Sequence, residues 1–552
     1  MNATKWLVPC AVLLLGAASG SIAAPKDPLS NANQLPPSLE QKVQAFQKAV
    51  IDEGYEVSRG YWTLWSADDC KLPLQSVGFC YGNNPTAPYV LAILPHWKDE
   101  FVDKSLRHAI IQGQKGMTAN YRLGEREALV VLAELPPPAR YFGLGTNVFT
   151  RQAVLNENDP VYKELSQQQE TADLLDIIFG FSPNPDRMMM IASIGDTINN
   201  VVIEEQSKEN WGQQRFFVTT PDEAMATAMT NALAGLEGVE ANQVFTEPVG
   251  SLDPDKPSNP LLVQLGYGPE ADDFITYIRY SMPNDLALGE QWREQLPLTV
   301  MRVRDPEGGK AKTPFKIPQY ETKKANFDEP DELGDDLEAL VAAVKEHWGQ
   351  DGSDPELPWA GKDLGFRSLT LWVDLVGQHC LGYDGPPDPE EGITLPRGPS
   401  GCLGDNQDDE PQISGGTYQL DDDQVIAVVG ALGTKTGNAT YTSLSVNWFP
   451  QLVGVANRDD TVLEESAKKF KDALSDPKLY TKFYVYYFAR DCSGLYPWCQ
   501  EIPRTLVPRG DTIKILQRNY ITPGSRRGPD PYKVLEPVSI EFDGSEGMRP
   551  GM

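Results

Sequence analysis

Histidine is scarce in this chain, with four in 552 residues: His96, His108, His347 and His379. Imidazole chemistry is therefore confined to few places. No Gly-x-Ser-x-Gly elbow occurs, so the common serine-hydrolase signature is missing, although a triad is set by geometry rather than spacing. Neither the Rossmann nor the P-loop glycine fingerprint is present, which leaves nucleotide chemistry without support. No Cys-x-x-Cys or His-x-x-x-His pair is available for structural zinc. Past the N-terminus no apolar run reaches the roughly 20 residues that span a bilayer as a helix. Basic residues are also in short supply. Lys and Arg total 48 against 78 Asp and Glu, a net charge of −30. Such a surface repels phosphate backbones and anionic lipid, which excludes nucleic acid as a partner and favours solubility in salt.

What is present starts with a leader. Lys5 precedes an apolar run from Trp6 to Leu15, and small residues follow from Gly16 to Ala24. A charged start, a short apolar core and a small-residue exit are the parts of a secretory signal peptide, expected at 1–23, with a Pro/Asn/Ser-rich linker at 24–37. Cysteine usage agrees. Apart from Cys10 in the leader, six cysteines fall into three local pairs: Cys70 and Cys80, Cys380 and Cys402, Cys492 and Cys499. Six thiols permit 15 pairings, and locality favours these three. Such bridges persist in an oxidising compartment, so the reading is a secreted or periplasmic protein.

One order of elements occurs twice along the chain. Leu39–Ile51 has helical spacing. A strand ends at Thr63-Leu64-Trp65, and Cys70 and Cys80 follow. Apolar runs Ala128–Leu135 and Tyr141–Phe149 flank three prolines, and the strand Met188–Ile194 leads to Asp196. The second series opens with the helix Leu337–His347. It continues through Thr370-Leu371-Trp372, Cys380 and Cys402, then Val425–Leu432 and Tyr441–Phe449. A helix at Val462–Leu474 leads to the strand Phe483–Arg490, ending at Asp491. Between the series lie strands at Arg215–Thr219, Phe274–Tyr280 and Leu298–Val303, and helices at Ala224–Leu236 and Leu286–Gln295. The pattern predicts an α+β fold of two related modules, each an antiparallel sheet with helices on one face, with a possible internal duplication. Expected boundaries are 38–304, with a helix-and-strand extension from about 197, and 335–552. An acidic, Pro-rich linker at 305–334 separates them.

Three constellations could carry function. If the series are copies, Asp196 and Asp491 end equivalent strands and could face one cleft, the two-carboxylate arrangement of glycoside hydrolysis. Each also has a plain structural role open to it: Asp196 as a helix cap, Asp491 as the partner of Arg490 or Arg504. Trp62, Trp65, Tyr81, Asn83, Asn84 and Trp97 cluster around the first cysteine pair, where aromatic rings could form a ligand platform with Arg490, or simply core. Asp384–Asp423 is densely acidic, and Asp405, Asp408, Asp409 and Glu410 are its candidate calcium ligands, although EF-hand spacing is missing and a solvated acidic loop is the favoured reading. No other cofactor is implied. Lys435-Thr436-Gly437, Ser445-Val446-Asn447 and Ser466-Ala467-Lys468-Lys469 match boxes of penicillin-binding proteins in inverted order, so that resemblance is set aside. The first is expected to be a hairpin turn and Ser466 a surface residue. Asn438-Ala439-Thr440 fits a glycosylation sequon. Three functional classes follow: an extracytoplasmic ligand-binding or interaction protein, a carboxylate hydrolase of a polysaccharide or ester polymer, or a calcium-stabilised surface protein. Nothing in the sequence specifies the ligand or the oligomeric state.

Overall fold

Leu39, Val43, Phe46 and Val50 form the buried stripe of the first helix, α1 (Pro37–Asp52), which opens on prolines where a missing N–H is harmless. The next strand turns a corner. β1 (Glu56–Arg59) belongs to one sheet and β2 (Tyr61–Trp65) to another, with Gly60 at the bend. A Cβ on Gly60 would stand 2.3 Å from the Ile93 carbonyl oxygen, so only glycine fits there. In this computed structural model, residues 33–552 are described apart from 77, 79, 82–83, 85–86, 109–114, 153–181, 194–196, 253–262, 317–322, 350–361, 369–406, 450, 546–547 and 551–552. The first half continues with α2 (Lys71–Ser76), β3 (Tyr89–Pro95), β4 (Met117–Thr118), β5 (Glu127–Glu134), β6 (Ala139–Gln152), β7 (Arg187–Ser193) and β8 (Ile198–Asn199). It closes with α3 (Asn200–Gln206), β9 (Gln214–Thr220), α4 (Glu223–Ala234), β10 (Val244–Pro248), β11 (Asp273–Pro283), α5 (Leu286–Gln295) and β12 (Leu298–Arg304). The second half holds α6 (Glu329–Trp348), β13 (Lys362–Ser368), β14 (Asp409–Ser414), β15 (Tyr418–Gln419), β16 (Gln424–Ala431), α7 (Gly433–Thr436) and β17 (Tyr441–Phe449). Then come β18 (Val453–Asp459), α8 (Asp460–Leu463), β19 (Phe483–Ala489), β20 (Cys499–Glu501), β21 (Thr512–Tyr520) and β22 (Val538–Asp543).

The two halves share one topology, and the fold is α+β as expected. The outer sheet runs β1-β12-β5-β9-β10 in the first half and β13-β22-β16-β19-β20 in the second. The inner sheet runs β2-β3-β11-β6-β7 and then β13-β14-β21-β17-β18. Each matched pair of neighbours has the same sense. All are antiparallel except the last pair of the outer sheet, β9–β10 and β19–β20, which is parallel in both. β13 turns the same corner as β1 and β2, pairing β22 up to Gly365 and β14 from Phe366.

In each half the two sheets enclose a sandwich core, and helices cover the outer sheet. Leu129, Val131 and Ala133 of β5 face the first sandwich, while Ala128, Val130 and Leu132 face α1 and α4. β16 alternates in the same way: Ile426 and Val428 point into the second sandwich, and Val425, Ala427 and Val429 point at α6. α6 is well specified locally. Asp328 caps it, Pro330 and acidic residues fill its first turn, Lys345 and His347 its last, and Gly349 ends it in the left-handed region. The inner sheets of the two halves meet in a seam that holds Trp65, Phe149, Tyr277 and Val453 at one end and Tyr141, Tyr441 and Tyr520 at the other.

Register fixes the correspondence and corrects part of the sequence reading. Ala128 pairs Val303 as Val425 pairs Phe542, and Tyr141–Phe149 matches Tyr441–Phe449 residue for residue. Thr63, however, matches Arg367 rather than Thr370, which lies outside the described residues, so the Thr-Leu-Trp repeat is coincidental. β19 corresponds to β9, not to β7. The counterpart of Asp491 is therefore Asp222, and the expected equivalence of Asp196 and Asp491 fails. The stretch after β12 is no free linker. Its Lys312 and Thr313 amides donate to Asp222, Phe315 bonds Pro221, and α6 begins inside the expected linker at Glu329.

Three smaller expectations also change. Lys435-Thr436-Gly437 ends the helical turn α7 with Gly437 at φ +88°, and because β16 pairs with β19 and β22 while β17 pairs with β18 and β21 it is no hairpin. Ser466 is buried, its hydroxyl donating to Leu463 and accepting from Val485. Asn438 is fully buried and donates to Phe327 and Glu329, so the sequon is inaccessible in the folded chain. Cys70–Cys80 and Cys492–Cys499 are bridged, whereas Cys380 and Cys402 lie outside the described residues. No described helix is long and apolar enough to cross a membrane.

Candidate functional site: an anchored loop in the first module

Because the halves are copies of one fold, each serves as a control for the other. What both share is needed for folding, and what only one has is a specialisation. Tyr121 bridges Phe274 as Tyr418 pairs Ile513, so the two tyrosines correspond. From there the chains run in step, Tyr121-Arg122-Leu123 to Glu127 against Tyr418-Gln419-Leu420 to Gln424. Glu127 accepts from the Gly124 amide at 2.9 Å, and Gln424 accepts from the Asp421 amide at 2.6 Å, the same local bond. Across the sheet Glu127 meets Arg302, where Gln424 meets Glu541. An amide–carboxylate pair in one copy is thus an arginine–carboxylate ion pair in the other.

The difference coincides with an insertion. In the second module Gly415–Thr417 is a short turn between β14 and Tyr418, whereas in the first the segment from Ile93 to Asn120 fills that place. It carries the loop His96–Lys104. Arg302, fully buried, holds this loop down. Its guanidinium donates to Glu127 at 2.6 Å, to Glu100 of the loop at 2.6 Å, and to the carbonyls of Pro95 and Arg122. It lies over the rings of Trp97 and Tyr121. The Trp97 indole and the Tyr267 hydroxyl donate to Glu127 at 2.9 and 2.7 Å. Glu100 also accepts from the Arg122 and Trp97 amides. Arg304 stacks on Trp97 at 4.2 Å and joins Asp99 of the loop to Glu56 of β1. At the tip, Phe101 and Val102 are 45% and 43% exposed, with the Arg122 guanidinium 5.1 Å from the Phe101 ring.

The electrostatics follow. Burial works to raise the Glu100 pKa, but Arg302, His96 and the two amides outweigh it and hold the carboxyl down at about 2. Asp273 lies behind the loop between Arg122 and Arg187, and there burial wins over both arginines and the Thr150 hydroxyl, pushing it up to about 6. The signs are opposite. Glu100 contributes stability that is complete above pH 4.5 and lost as pH falls toward 2, about 3 kcal/mol in all. Asp273 binds its proton more tightly folded than unfolded, so its term improves as pH falls from about 6 toward 4. The expected unfolding free energy therefore rises from pH 7 to 5 and drops below 4.5. Urea melts across pH should show both limbs, with Asp273→Asn flattening the first and Glu100→Gln the second.

The candidates from sequence lie elsewhere and do not converge. Asp196, Asn83 and Asp405 are outside the described residues. Asp491 is exposed, and its carboxylate accepts from the Ser493 amide and hydroxyl, which lower its pKa. The Arg490 guanidinium donates to the carbonyls of Leu420, Ile502 and Val507, and Arg504 pairs with Asp422. Trp62 and Trp65 are core, Tyr81 packs on Phe149, and Asn84 is buried in the seam. Asp408, Asp409 and Glu410 are buried rather than gathered in a solvated loop. Asp408 accepts from Asn199 and Tyr141, Glu410 from Ser368 and Lys323, and Asp409 stands 4.0 Å from Arg518. Strand alternation sends Asp409 and Glu410 to opposite faces. Among the described residues no group of three or more His, Cys, Asp or Glu could hold a metal. Of the candidate catalytic, ligand-binding and metal residues named from sequence, only Trp97 belongs to the anchored loop. Glu100, Phe101, Val102, Glu127 and Arg302 were missed. The one signal for them is the in-step Tyr-x-Leu spacing, with Glu127 where its twin has Gln424.

No protein-family model matches the chain, and no curated protein matches it. Among solved structures, an uncharacterized protein from Burkholderia cenocepacia aligns over 95% of this chain and 92% of its own, at 10% identity and a TM-score of 0.33. Procruciferin, the 11S globulin of Brassica napus, aligns over 89% and 83%, at 9% identity and a TM-score of 0.10. Overlays this loose carry no argument about fold or function.

Proposed function

We propose that this is an exported, non-catalytic interaction protein that engages its partner through the loop His96–Lys104 of its first module. The observation behind this reading is the Arg302 anchor. Burying an arginine with two glutamates contributes little or nothing to stability against a well-packed apolar alternative, and the second module closes on Gln424 and Glu541 without such an anchor. The ionic cluster serves instead to fix the loop in one place. A rigid loop with an aromatic tip, backed by Trp97, Tyr267 and Arg304, has the composition of an interface hot spot and loses little entropy on binding. The leader, the two disulfides among the described residues and the acidic composition support an extracytoplasmic setting.

The test compares the protein with a Phe101→Ser, Val102→Ser double variant, each immobilised and exposed to the exported fraction of its own cell. A partner retained by the parent should be lost at least about thirtyfold by the variant, as expected for a hot spot of about 2 kcal/mol. The two proteins should melt within about a degree of each other, because exposed side chains contribute little to stability. Equal retention, or a melting point several degrees lower, would make the tip a structural feature and remove the reading.

A further inference from the structure

The seam between the modules is itself two-fold. Tyr141 matches Tyr441, Asn147 matches Asn447, and Arg279, opposite Gly143, matches Arg518, opposite Ser443. All of these line the inner sheets. Each module also sends one buried arm across. In the first module Asn84, in the approach to β3, donates to Ser443 at 3.3 Å and to Tyr520 at 3.0 Å, and accepts from Asn457 of β18 at 2.9 Å. In the second module Asp408, in the approach to β14, accepts from Tyr141 at 3.3 Å and from Asn199 of β8 at 2.9 Å. It lies against Gly143, where an added Cβ would stand 2.9 Å from its carboxylate. Gly143 is the match of Ser443, and β8 pairs with β6 as the end of β18 pairs with β17. One arm thus touches the position in the second module that the other arm touches in the first.

The register sets Leu91 against Ile413, so Asp408 lies two residues past the match of Asn84 and the arms are not equivalent residues. Each nevertheless reaches the same matched position, Ser443 in one module and Gly143 in the other, as surfaces related by a two-fold do. We infer that the inner sheet of each module is a self-complementary docking surface whose partner is another module of the same fold, supplied in this chain by its other half. The covalent connection then raises the local concentration of the partner but does not create the interface. Flanking contacts reinforce it: Arg140 of β6 pairs with Asp460 of α8 at 2.6 Å, and the Arg279 guanidinium sits among the rings of Tyr89, Tyr141 and Tyr520. This inference is independent of the loop's role as a binding site, since the seam lies on other residues.

A protease site placed at the exposed Gly308-Gly309 turn in the full chain tests it. After cleavage the two fragments should stay together on gel filtration. The segment 312–315, which leaves with the second fragment and bonds Asp222 and Pro221, contributes to this, so the arm variants decide whether the seam holds them. Asn84→Leu and Asp408→Leu, each made in the cleavable chain, should both weaken fragment pairing by about tenfold or more and to similar extents, while Asp408→Asn should pair almost as the parent does. Circular dichroism of the uncut variants shows whether they fold. Fragments that part on cleavage of the parent would overturn the inference, as would folded arm variants that pair unchanged or in which only one arm matters.

Discussion

Replacing Arg302 of β12, which holds the anchored loop, with alanine is expected to remove about 4 kcal/mol of stability from the first module. The reason is what it leaves behind. Glu100 and Glu127 are each about 1% exposed or less at the side chain and would face each other with no cation between them. The Pro95 and Arg122 carbonyls would lose their donor as well. Truncating one member of a buried ion pair strands the other, and that penalty exceeds the net worth of the intact pair. The corresponding change in the second module, Glu541→Ala, removes one partner of a neutral amide and should cost about 1 kcal/mol. The decisive variant combines Arg302→Met with Glu100→Gln and Glu127→Gln, which replaces the ions by neutral groups of similar size. It should recover most of the stability while freeing the loop. Urea denaturation gives the three free energies, and a loss below about 1 kcal/mol for Arg302→Ala would refute the anchor.

The anchor shows why some of this molecule was legible in its sequence and some was not. β5, β6, β16 and β17 are buried on both faces, so each reads as a nearly continuous apolar run, and both pairs were placed within three residues. The same property hides identity. One doubly buried strand looks like another, which is how β7 was matched with β19 when its true counterpart is β18. The unequal spacing contributed: residues 153–186 separate β6 from β7, while a few residues separate β17 from β18. The local disulfides were legible because ten and seven residues leave few alternatives. Glu100, Glu127 and Arg302 were not, because they meet across separations of 175 and 202 residues, and nothing within a window of a dozen marks an arginine for full burial. Acidic density likewise misled at Asp408–Glu410. Composition counted the charges, but strand alternation and the partners Arg518, Lys323 and Asn199 decided where they point.

A second large loss is expected at Asp222, the true counterpart of Asp491. Asp222 is fully buried at the end of β9, and its carboxylate accepts three backbone amides: Ala224 at 3.1 Å, Lys312 at 3.1 Å and Thr313 at 2.7 Å. The first caps α4. The other two pin the segment after β12 to the first module. Asp222→Ala removes a cap worth about 1 kcal/mol and leaves two part-buried amides without their acceptor, for about 3 kcal/mol in total. Asp491 holds the same position at the end of β19 but turns a short, exposed loop closed by Cys492–Cys499, and its bonds to Ser493 compete with water. Asp491→Ala should therefore cost less than about 0.5 kcal/mol. In the first module a helix fills the crossover between the parallel strands, and the aspartate is structural. In the second a disulfide has replaced the helix, and the aspartate has little left to hold. Denaturation of the two alanine variants side by side separates these roles, and similar losses at both positions would contradict the division of labour between the modules.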